Sequence, residues 1–128
     1  MNALVRTVDG TWFVDLETEE LLAADVELAP PAQIEVSLPL VVATAAAGAT
    51  IVAVVDRRPP LAISRDAGST WREAGGGLPK GTAVAIDEDN PDRMLYAARN
   101  RLFVSTDGGR FWQALTLELP EIEVVAFG

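Results

Sequence analysis

Two short stretches decide the fold: SRDAGSTW, residues 64–71, and STDGGRFW, residues 105–112. Both place a serine, an aspartate, a glycine and a tryptophan at the same four positions of an eight-residue pattern. A pattern that returns within one chain is the signature of a repeat architecture. The first question is therefore how far the similarity extends on either side of the two stretches.

The similarity extends over three segments of the chain. Leu61–Pro79 aligns without a gap with Leu102–Pro120, and Trp12–Pro30 aligns without a gap with the same segment. In the N-terminal copy the pattern has decayed, since Asp15 stands at the serine position and Leu22 at the tryptophan position. The sequence therefore contains three units, which end at Pro30, Pro79 and Pro120.

Short apolar runs, rich in β-branched residues and separated by Gly, Pro, Asp and Asn, predict an all-β chain. Each unit is predicted to hold four strands. The first unit lacks a first strand, because Ala3–Val8 already aligns with the second strand of the third unit, residues 94–98. Residues 121–128 supply a first strand that has no unit behind it. The missing strand and the surplus strand are complementary.

The composition excludes several classes of function. The chain has 128 residues and is 49% hydrophobic, which suffices for a single domain with a core. A formal net charge of −9 repels nucleic acid and anionic lipid, so neither is expected as a partner. Without histidine or cysteine, the chain cannot form a Ser-His-Asp site, a Cys-His site or a disulfide. No signal peptide or apolar membrane span is recognisable, so we expect a cytoplasmic protein without membrane insertion.

The motif S-x-D-x-G-x-T-W is similar to the Asp-box of the BNR-repeat β-propellers. This family includes sialidases, sortilin-type receptors, xyloglucan-active glycoside hydrolases and photosystem II assembly factors. The second copy departs from the motif once, where Phe111 replaces the threonine. The resemblance implies four-stranded antiparallel blades, with each box as a structural hairpin between the third and fourth strands. The predicted structural Asp-box residues are Ser64, Asp66, Gly68, Thr70, Trp71, Ser105, Asp107, Gly109 and Trp112.

The three units are expected to be three blades, at about residues 1–30, 38–79 and 80–120. Closed propellers have about four to eight blades, so three are too few for a ring. We therefore expect a homodimer in which two chains build one six-bladed ring, with the two-fold symmetry that is commonest among oligomers. The two ends of one chain are expected to lie at opposite limits of a half ring. Strand 121–128 is then expected to complete the partner's first blade by strand exchange.

The resemblance leaves two functions open. We expect a non-enzymatic binding or assembly scaffold, and the alternative is a glycoside hydrolase or a carbohydrate-binding protein. A glycosidase needs two acids across a cleft, for which Glu35, Glu121 and Glu123 are the candidates. In DEDNPD, residues 87–92, Pro91 occupies the position where a calcium loop needs a glycine turn. We expect solvated surface charge both at these three glutamates and in the DEDNPD turn. The sequence thus predicts no metal site, no cofactor and no catalytic residue.

Half of the basic residues are expected on one face of the propeller. The loops between the second and third strands share this face with the loops that lead to the next blade. Clustered positive charge attracts an opposite charge, so we expect this face to bind an anionic ligand or an acidic peptide. The alternative is that these side chains pair with nearby acids. The candidate ligand-face residues are Arg57, Arg58, Lys80, Arg99 and Arg101.

Overall fold

Three four-stranded antiparallel sheets form the structure, a computed structural model that describes residues 1–32 and 34–128. The chain is all-β and has the blade architecture of a β-propeller, which confirms the fold class predicted from the sequence. The strands are β1 (Asn2–Thr7), β2 (Gly10–Asp15), β3 (Leu21–Ala23), β4 (Val41–Ala47), β5 (Thr50–Val55), β6 (Leu61–Ser64), β7 (Arg72–Ala74), β8 (Gly81–Ile86), β9 (Met94–Ala98), β10 (Leu102–Ser105), β11 (Gln113–Ala114) and β12 (Ile122–Phe127).

The order of strands in each sheet defines the blades. Blade 1 has the order β12-β1-β2-β3, blade 2 the order β4-β5-β6-β7, and blade 3 the order β8-β9-β10-β11. The first strand of each order, β12, β4 or β8, is the inner strand, and β8 contacts both of the others. The blades therefore lie in space in the order 2, 3, 1, with blade 3 in the middle.

Blade 3 packs through both of its faces. Tyr96 and Phe103 lie in a hydrophobic cluster with residues of blade 2, whereas Leu95 and Leu102 lie in a second cluster with residues of blade 1. Neighbouring side chains of a strand point to opposite faces, so β9 serves both clusters and all five of its residues are buried. This explains why the run MLYAA is apolar throughout rather than alternating with polar residues. The partners on the other blades include Val52, Val54, Leu61 and Ile63 of blade 2 and Ala3, Val5 and Val14 of blade 1.

The C-terminal strand completes blade 1 of its own chain. β12 pairs antiparallel with β1, where Val125 lies opposite Val5 and Ala126 lies opposite Leu4. The prediction that residues 121–128 complete the partner's first blade is therefore corrected. Blade 1 follows blade 3 in space instead of preceding blade 2, which brings the two ends of the chain together.

The crossing segment, residues 24–40, makes this arrangement possible because it connects β3 to β4 across the arc. Extended chain reaches about 3.3 Å per residue, so a segment of this length reaches roughly 55 Å. The Arg6 guanidinium Nη1 donates to the Leu28 carbonyl at 3.0 Å on blade 1. On blade 2, the backbone N–H of Asp56 donates to the carbonyl of Leu40 at 2.9 Å.

Two details of the repeat differ from the sequence alignment. The fourth strand of blade 3, predicted over residues 112–119, is only Gln113–Ala114, although Leu115 and Leu119 beyond it are buried. Leu22, which aligns with the box tryptophans, is 68% exposed on the side of blade 1 turned away from blade 3. Blade 1 thus keeps the four-stranded sheet but has no side chain over its hairpin at this position.

The close approach of β8 to Tyr96 predicts a strong requirement for glycine at position 81. A Cβ atom at Gly81 would overlap the Tyr96 ring, which is fully buried and donates its hydroxyl to the Pro79 carbonyl at 2.5 Å. We expect Gly81→Ala to lower the free energy of unfolding by about 1–3 kcal/mol in urea denaturation. Gly76→Ala is the control, since a Cβ there meets no atom within 4 Å. Equal stability of the two variants would contradict this packing.

Candidate functional site

The first box, in blade 2, closes the hairpin between β6 and β7 with bonds among its own atoms. The Ser64 hydroxyl donates to Asp66 Oδ1 at 2.8 Å and accepts the Gly68 backbone N–H at 2.8 Å. The Thr70 backbone N–H donates to Asp66 Oδ1 at 2.8 Å, and the Thr70 hydroxyl donates to Oδ2 at 2.6 Å. Gly68 has φ +92°, a conformation that glycine adopts without a steric penalty. One carboxylate and one hydroxyl thus satisfy the turn.

The second box, in blade 3, repeats this geometry with a second backbone N–H in place of the threonine hydroxyl. The Ser105 hydroxyl donates to Asp107 Oδ1 at 2.8 Å and accepts the Gly109 N–H at 2.9 Å. The backbone N–H groups of Arg110 and Phe111 donate to the same carboxylate oxygen at 3.1 and 3.0 Å. Phe111 carries no hydroxyl to match that of Thr70, and its side chain is 81% exposed.

The two tryptophans lie over the glycines of their boxes. Trp112 Nε1 donates to the Gly109 carbonyl at 3.0 Å, and its ring meets the Tyr96 ring edge-on with centroids 6.0 Å apart. Trp112 therefore joins the hairpin of blade 3 to the cluster between blades 2 and 3. Trp71 is half-buried beside Gly68 in the other box.

Hydrogen bonds lower the pKa of both box carboxylates. The Thr70 hydroxyl, followed by the Thr70 backbone N–H and the Ser64 hydroxyl, lowers the pKa of Asp66 to about 2. The Phe111 backbone N–H is the main cause of the lowered pKa of Asp107. A carboxyl group that serves as a general acid needs a raised pKa, which is the opposite shift. These two groups are therefore charged acceptors at neutral pH.

The five basic residues of the candidate ligand face lie on the opposite edge of the sheets from the boxes. Arg57 and Arg58 follow β5, Arg99 and Arg101 lie between β9 and β10, and Lys80 precedes β8. In antiparallel sheets these loops share one edge. Three of the five side chains are paired with acids. The pairs are Lys80 Nζ–Asp56 Oδ1 at 3.3 Å, Arg99 Nε–Glu121 Oε1 at 3.9 Å and Arg101 Nη2–Glu118 Oε1 at 3.5 Å.

The remaining two residues of this face, Arg57 and Arg58, are exposed and form no ion pair with the residues that the structure describes. They border a pocket of about 190 Å³, whose apolar lining comes from Val55, Pro60 and Leu78. Exposed ion pairs contribute about 0–1 kcal/mol, so a stronger anion can compete for the paired residues as well. The edge thus combines two available guanidinium groups with an apolar pocket.

A groove of about 570 Å³ runs along the inner strands β4, β8 and β12. Asp87, Glu88 and Asp89 lie at one end, beside Arg93, which pairs with Asp87 at 3.7 Å. Asp87 Oδ1 also accepts the Asp89 N–H at 2.9 Å, so this acid organises its own turn. Across residues 1–32 and 34–128, no group of three or more acids is arranged to hold a metal ion.

The three acids considered as glycosidase candidates do not meet across this groove. Glu123 pairs with Arg6 at 3.3 Å, Glu121 lies beside Arg99, and Glu35 is exposed on the crossing segment.

In the part of the chain that the structure describes, no helix has the length and apolar character to cross a membrane.

Sequence reasoning missed the groove and the path of the crossing segment. The Pro30-Pro31 pair, which lies near the inner strands, and the apolar residues at positions 34, 36 and 38 were the available signals. Alternating apolar residues after a rigid proline pair are typical of an extended segment that lies on another surface.

Comparison with solved structures supports the β-propeller class. A GH74 enzyme from Niastella koreensis has a TM-score of 0.58 and 19% identity, over 98% of this chain and 19% of the enzyme. YCF48 bound to D1 peptide has a TM-score of 0.54 and 16% identity, over 94% of this chain and 43% of YCF48. Both are β-propeller proteins, and the chain spans less than half the length of either. No protein-family model and no curated protein sequence matches the chain.

The extra hydroxyl of the first box predicts how the two carboxylates titrate. We expect Thr70→Val to raise the pKa of Asp66 from about 2 toward its usual value of 3.8. Because the folded-state pKa is depressed, the stabilisation is present above about pH 4 and is lost as the pH falls toward 2. Removal of the Thr70 hydroxyl should therefore narrow the pH range, between the folded-state and unfolded-state pKa values of Asp66, over which this stabilisation is lost. NMR titration of the carboxyl carbons measures the shift.

The second box supplies the reciprocal variant. Phe111→Thr introduces a hydroxyl within reach of Asp107, so the pKa of Asp107 should fall further. Its titration in the same NMR experiment is the matched comparison for Thr70→Val. Unchanged pKa values in both variants would contradict the hydrogen-bond scheme of the boxes.

A structural role for the boxes predicts a large effect of the tryptophan that reaches the core. We expect Trp112→Ala to lower the free energy of unfolding by about 3 kcal/mol, because it removes the ring from the cluster between blades 2 and 3 together with the edge contact with Tyr96 and the hydrogen bond to the Gly109 carbonyl. Chemical denaturation measures the change, with Phe111→Ala as the exposed neighbouring control. Unchanged stability of Trp112→Ala would contradict a structural role.

Proposed function

We propose that this protein is a non-enzymatic binding scaffold of the Asp-box propeller type. Its ligand is an acidic peptide or another anionic group, bound at the edge that carries Arg57 and Arg58. The observation that carries the proposal is the combination of these two exposed guanidinium groups with the apolar pocket of about 190 Å³ beside them. The neighbouring basic residues of the same edge are engaged by acids.

The chemistry of the pocket favours a peptide over a small molecule. A guanidinium group binds a carboxylate through two parallel hydrogen bonds, which gives both energy and orientation. Pockets for small molecules usually have volumes of about 300–1,000 Å³, so this one suits a single side chain. An acidic residue on the arginines, with an apolar neighbour against Val55, Pro60 and Leu78, fits this arrangement.

The comparison with YCF48 is compatible with this proposal. That protein was solved bound to D1 peptide, so a β-propeller of related architecture holds a peptide. At 16% identity the similarity bears on the fold alone, and the ligand of this chain is argued from its own arginines.

The groove along the inner strands favours a second candidate function, that of a glycoside hydrolase or a carbohydrate-binding protein. It is larger than the arginine pocket and has Asp87, Glu88 and Asp89 at one end. Paired carboxylates across a groove are the catalytic groups of glycosidases. Because Asp87 is engaged by Arg93 and by its own turn, we place this function second.

We further propose that the scaffold is cytoplasmic and assembles as a homodimer. In the six-bladed ring expected from the sequence, the face of blade 1 turned away from blade 3 in one protomer would meet the face of blade 2 turned away from blade 3 in its partner. The crossing segment lies against blade 2, as the hydrogen bond between Ile34 and Thr44 shows. Closure of that ring therefore requires residues 34–40 to move.

The proposed ligand predicts a charge-dependent affinity. We expect a fluorescein-labelled peptide of alternating Asp and Leu to bind, and its Asn-for-Asp counterpart to bind at least tenfold more weakly in fluorescence anisotropy. Arg57→Glu with Arg58→Glu should weaken binding of the acidic peptide by at least tenfold, because charged hydrogen bonds contribute about 1.5–3 kcal/mol each. Added salt should weaken binding as well.

Arg110→Glu is the control, since Arg110 is an exposed arginine on the edge that carries the boxes. It should leave the affinity unchanged. Equal binding of the acidic and neutral peptides would contradict the proposal. Turnover of a nitrophenyl glycoside, abolished by Asp89→Asn, would favour the hydrolase instead.

A further inference from the structure

The outer face of blade 1, the face turned away from blade 3, carries an apolar row across all four strands. Leu22, Phe13, Leu4 and Ala126 lie opposite one another in the registers of β3, β2, β1 and β12. The exposed fractions are 68% for Leu22 and 37% for Phe13, while Leu4 and Ala126 are half-buried. A blade inside a closed propeller has a neighbouring blade on each of its faces. Among the residues that the structure describes, blade 1 has a neighbouring blade only on the side of blade 3, so the apolar side chains Leu22 and Phe13 on its outer face remain exposed.

The outer face of blade 2, at the other end of the arc, is covered by the chain itself. Thr44, Ala53 and Ala62 lie opposite one another on that face, and they are only 4%, 0% and 1% exposed. The backbone N–H of Ile34 donates to the Thr44 hydroxyl at 3.2 Å, which places the crossing segment there. Half-buried residues alternate with exposed ones along this stretch, as expected of an extended strand with one side on a surface. The half-buried residues are Ile34, Val36 and Leu38.

The two ends of the arc are therefore unequal. Terminal units of repeat proteins need an outer face that tolerates water. The crossing segment provides such a cap for blade 2 and presents its polar residues, such as Glu35 and Ser37, to solvent. On blade 1 Leu22 and Phe13 stay exposed to solvent, and Leu4 and Ala126 of the same row are half-buried.

We propose that this row is the interface between two copies of the chain, packed face to face about a two-fold axis. The inference rests on the proposed homodimer and selects its contact surface. A face-to-face pair uses only the open end of each arc, whereas the six-bladed ring also needs the end that residues 34–40 already cover. The same patch then serves both protomers, as in any two-fold interface.

The size of the face is sufficient for a specific pair. Four strands spaced about 4.8 Å apart, of which β1, β2 and β12 have six residues and β3 has three, give a flat area of roughly 300 Å². With the relief of the side chains, two such faces bury on the order of 1,000 Å² of accessible surface, which is the lower limit for a specific interface. Large aromatic and aliphatic side chains at the centre, here Phe13 and Leu22, are the usual source of the binding energy.

The first experiment is light scattering on the intact chain and on Leu22→Glu. The intact chain should have twice the 13.6 kDa mass of one chain, and Leu22→Glu should be a folded monomer. Leu22 is already 68% exposed, so the charge should leave the fold intact, which circular dichroism checks. Phe111→Glu is the matched control, since Phe111 is exposed on blade 3, and it should stay dimeric.

The second experiment separates the face-to-face pair from the ring. Leu4 lies near the centre of the row, so a two-fold axis brings it close to its own copy. The chain contains no cysteine, and Leu4→Cys therefore introduces a single thiol. Packed sheets lie about 10 Å apart, too far for a disulfide, so a short bismaleimide is the appropriate crosslinker. Leu4→Cys should crosslink to its own copy, and the exposed control Ser69→Cys should not.

The outcomes are distinct. A monomeric intact chain would overturn both the homodimer and this interface. A dimer that survives Leu22→Glu, or in which Leu4→Cys fails to crosslink, would overturn the interface but leave the homodimer standing. Loss of the dimer in Leu22→Glu together with the Leu4→Cys crosslink would support the inference.

Discussion

The packing of blade 3 between its two neighbours is the interaction on which the rest of the structure depends. A single strand, β9, contributes Tyr96 to the cluster with blade 2 and Leu95 to the cluster with blade 1. Both clusters are built from inward-facing residues of neighbouring sheets, so neither outer blade holds a core without the middle one. The packing of the three blades therefore positions both the edge that carries Arg57 and Arg58 and the outer face of blade 1.

The sequence predicted those features whose physical causes are local. The hydrogen bonds of a box join groups of one turn, because Ser64, Asp66 and Thr70 lie within a few residues of one another. The Asp66 carboxylate accepts the Ser64 hydroxyl and both the N–H and the hydroxyl of Thr70. The pattern therefore identifies the hairpin and, through its spacing, the blades. The apolar run of β9 likewise predicted a strand, and the structure shows that all five of its residues are buried.

The placement of blade 1 was not predictable in the same way. Pairing of β12 with β1 satisfies the same backbone groups whether the two strands belong to one chain or to two. What decides between these arrangements is the path of the crossing segment, whose Leu28 and Leu40 carbonyls accept bonds from opposite ends of the arc. The basic edge shows a similar limit. Antiparallel topology places Arg57 and Lys80 together, but the ion pair of Lys80 with Asp56 depends on loop geometry.

The central claim is that the two ends of the chain pair within one protomer, so that blade 1 follows blade 3. An equal mixture of ¹³C-labelled and unlabelled chains, unfolded and refolded together, tests it through isotope-filtered NOE spectroscopy. Val5 and Val125 lie opposite one another on the buried side of blade 1. The structure predicts NOEs between their methyl groups within labelled chains and none between labelled and unlabelled chains. An intermolecular NOE between Val5 and Val125 would show strand exchange and contradict the account.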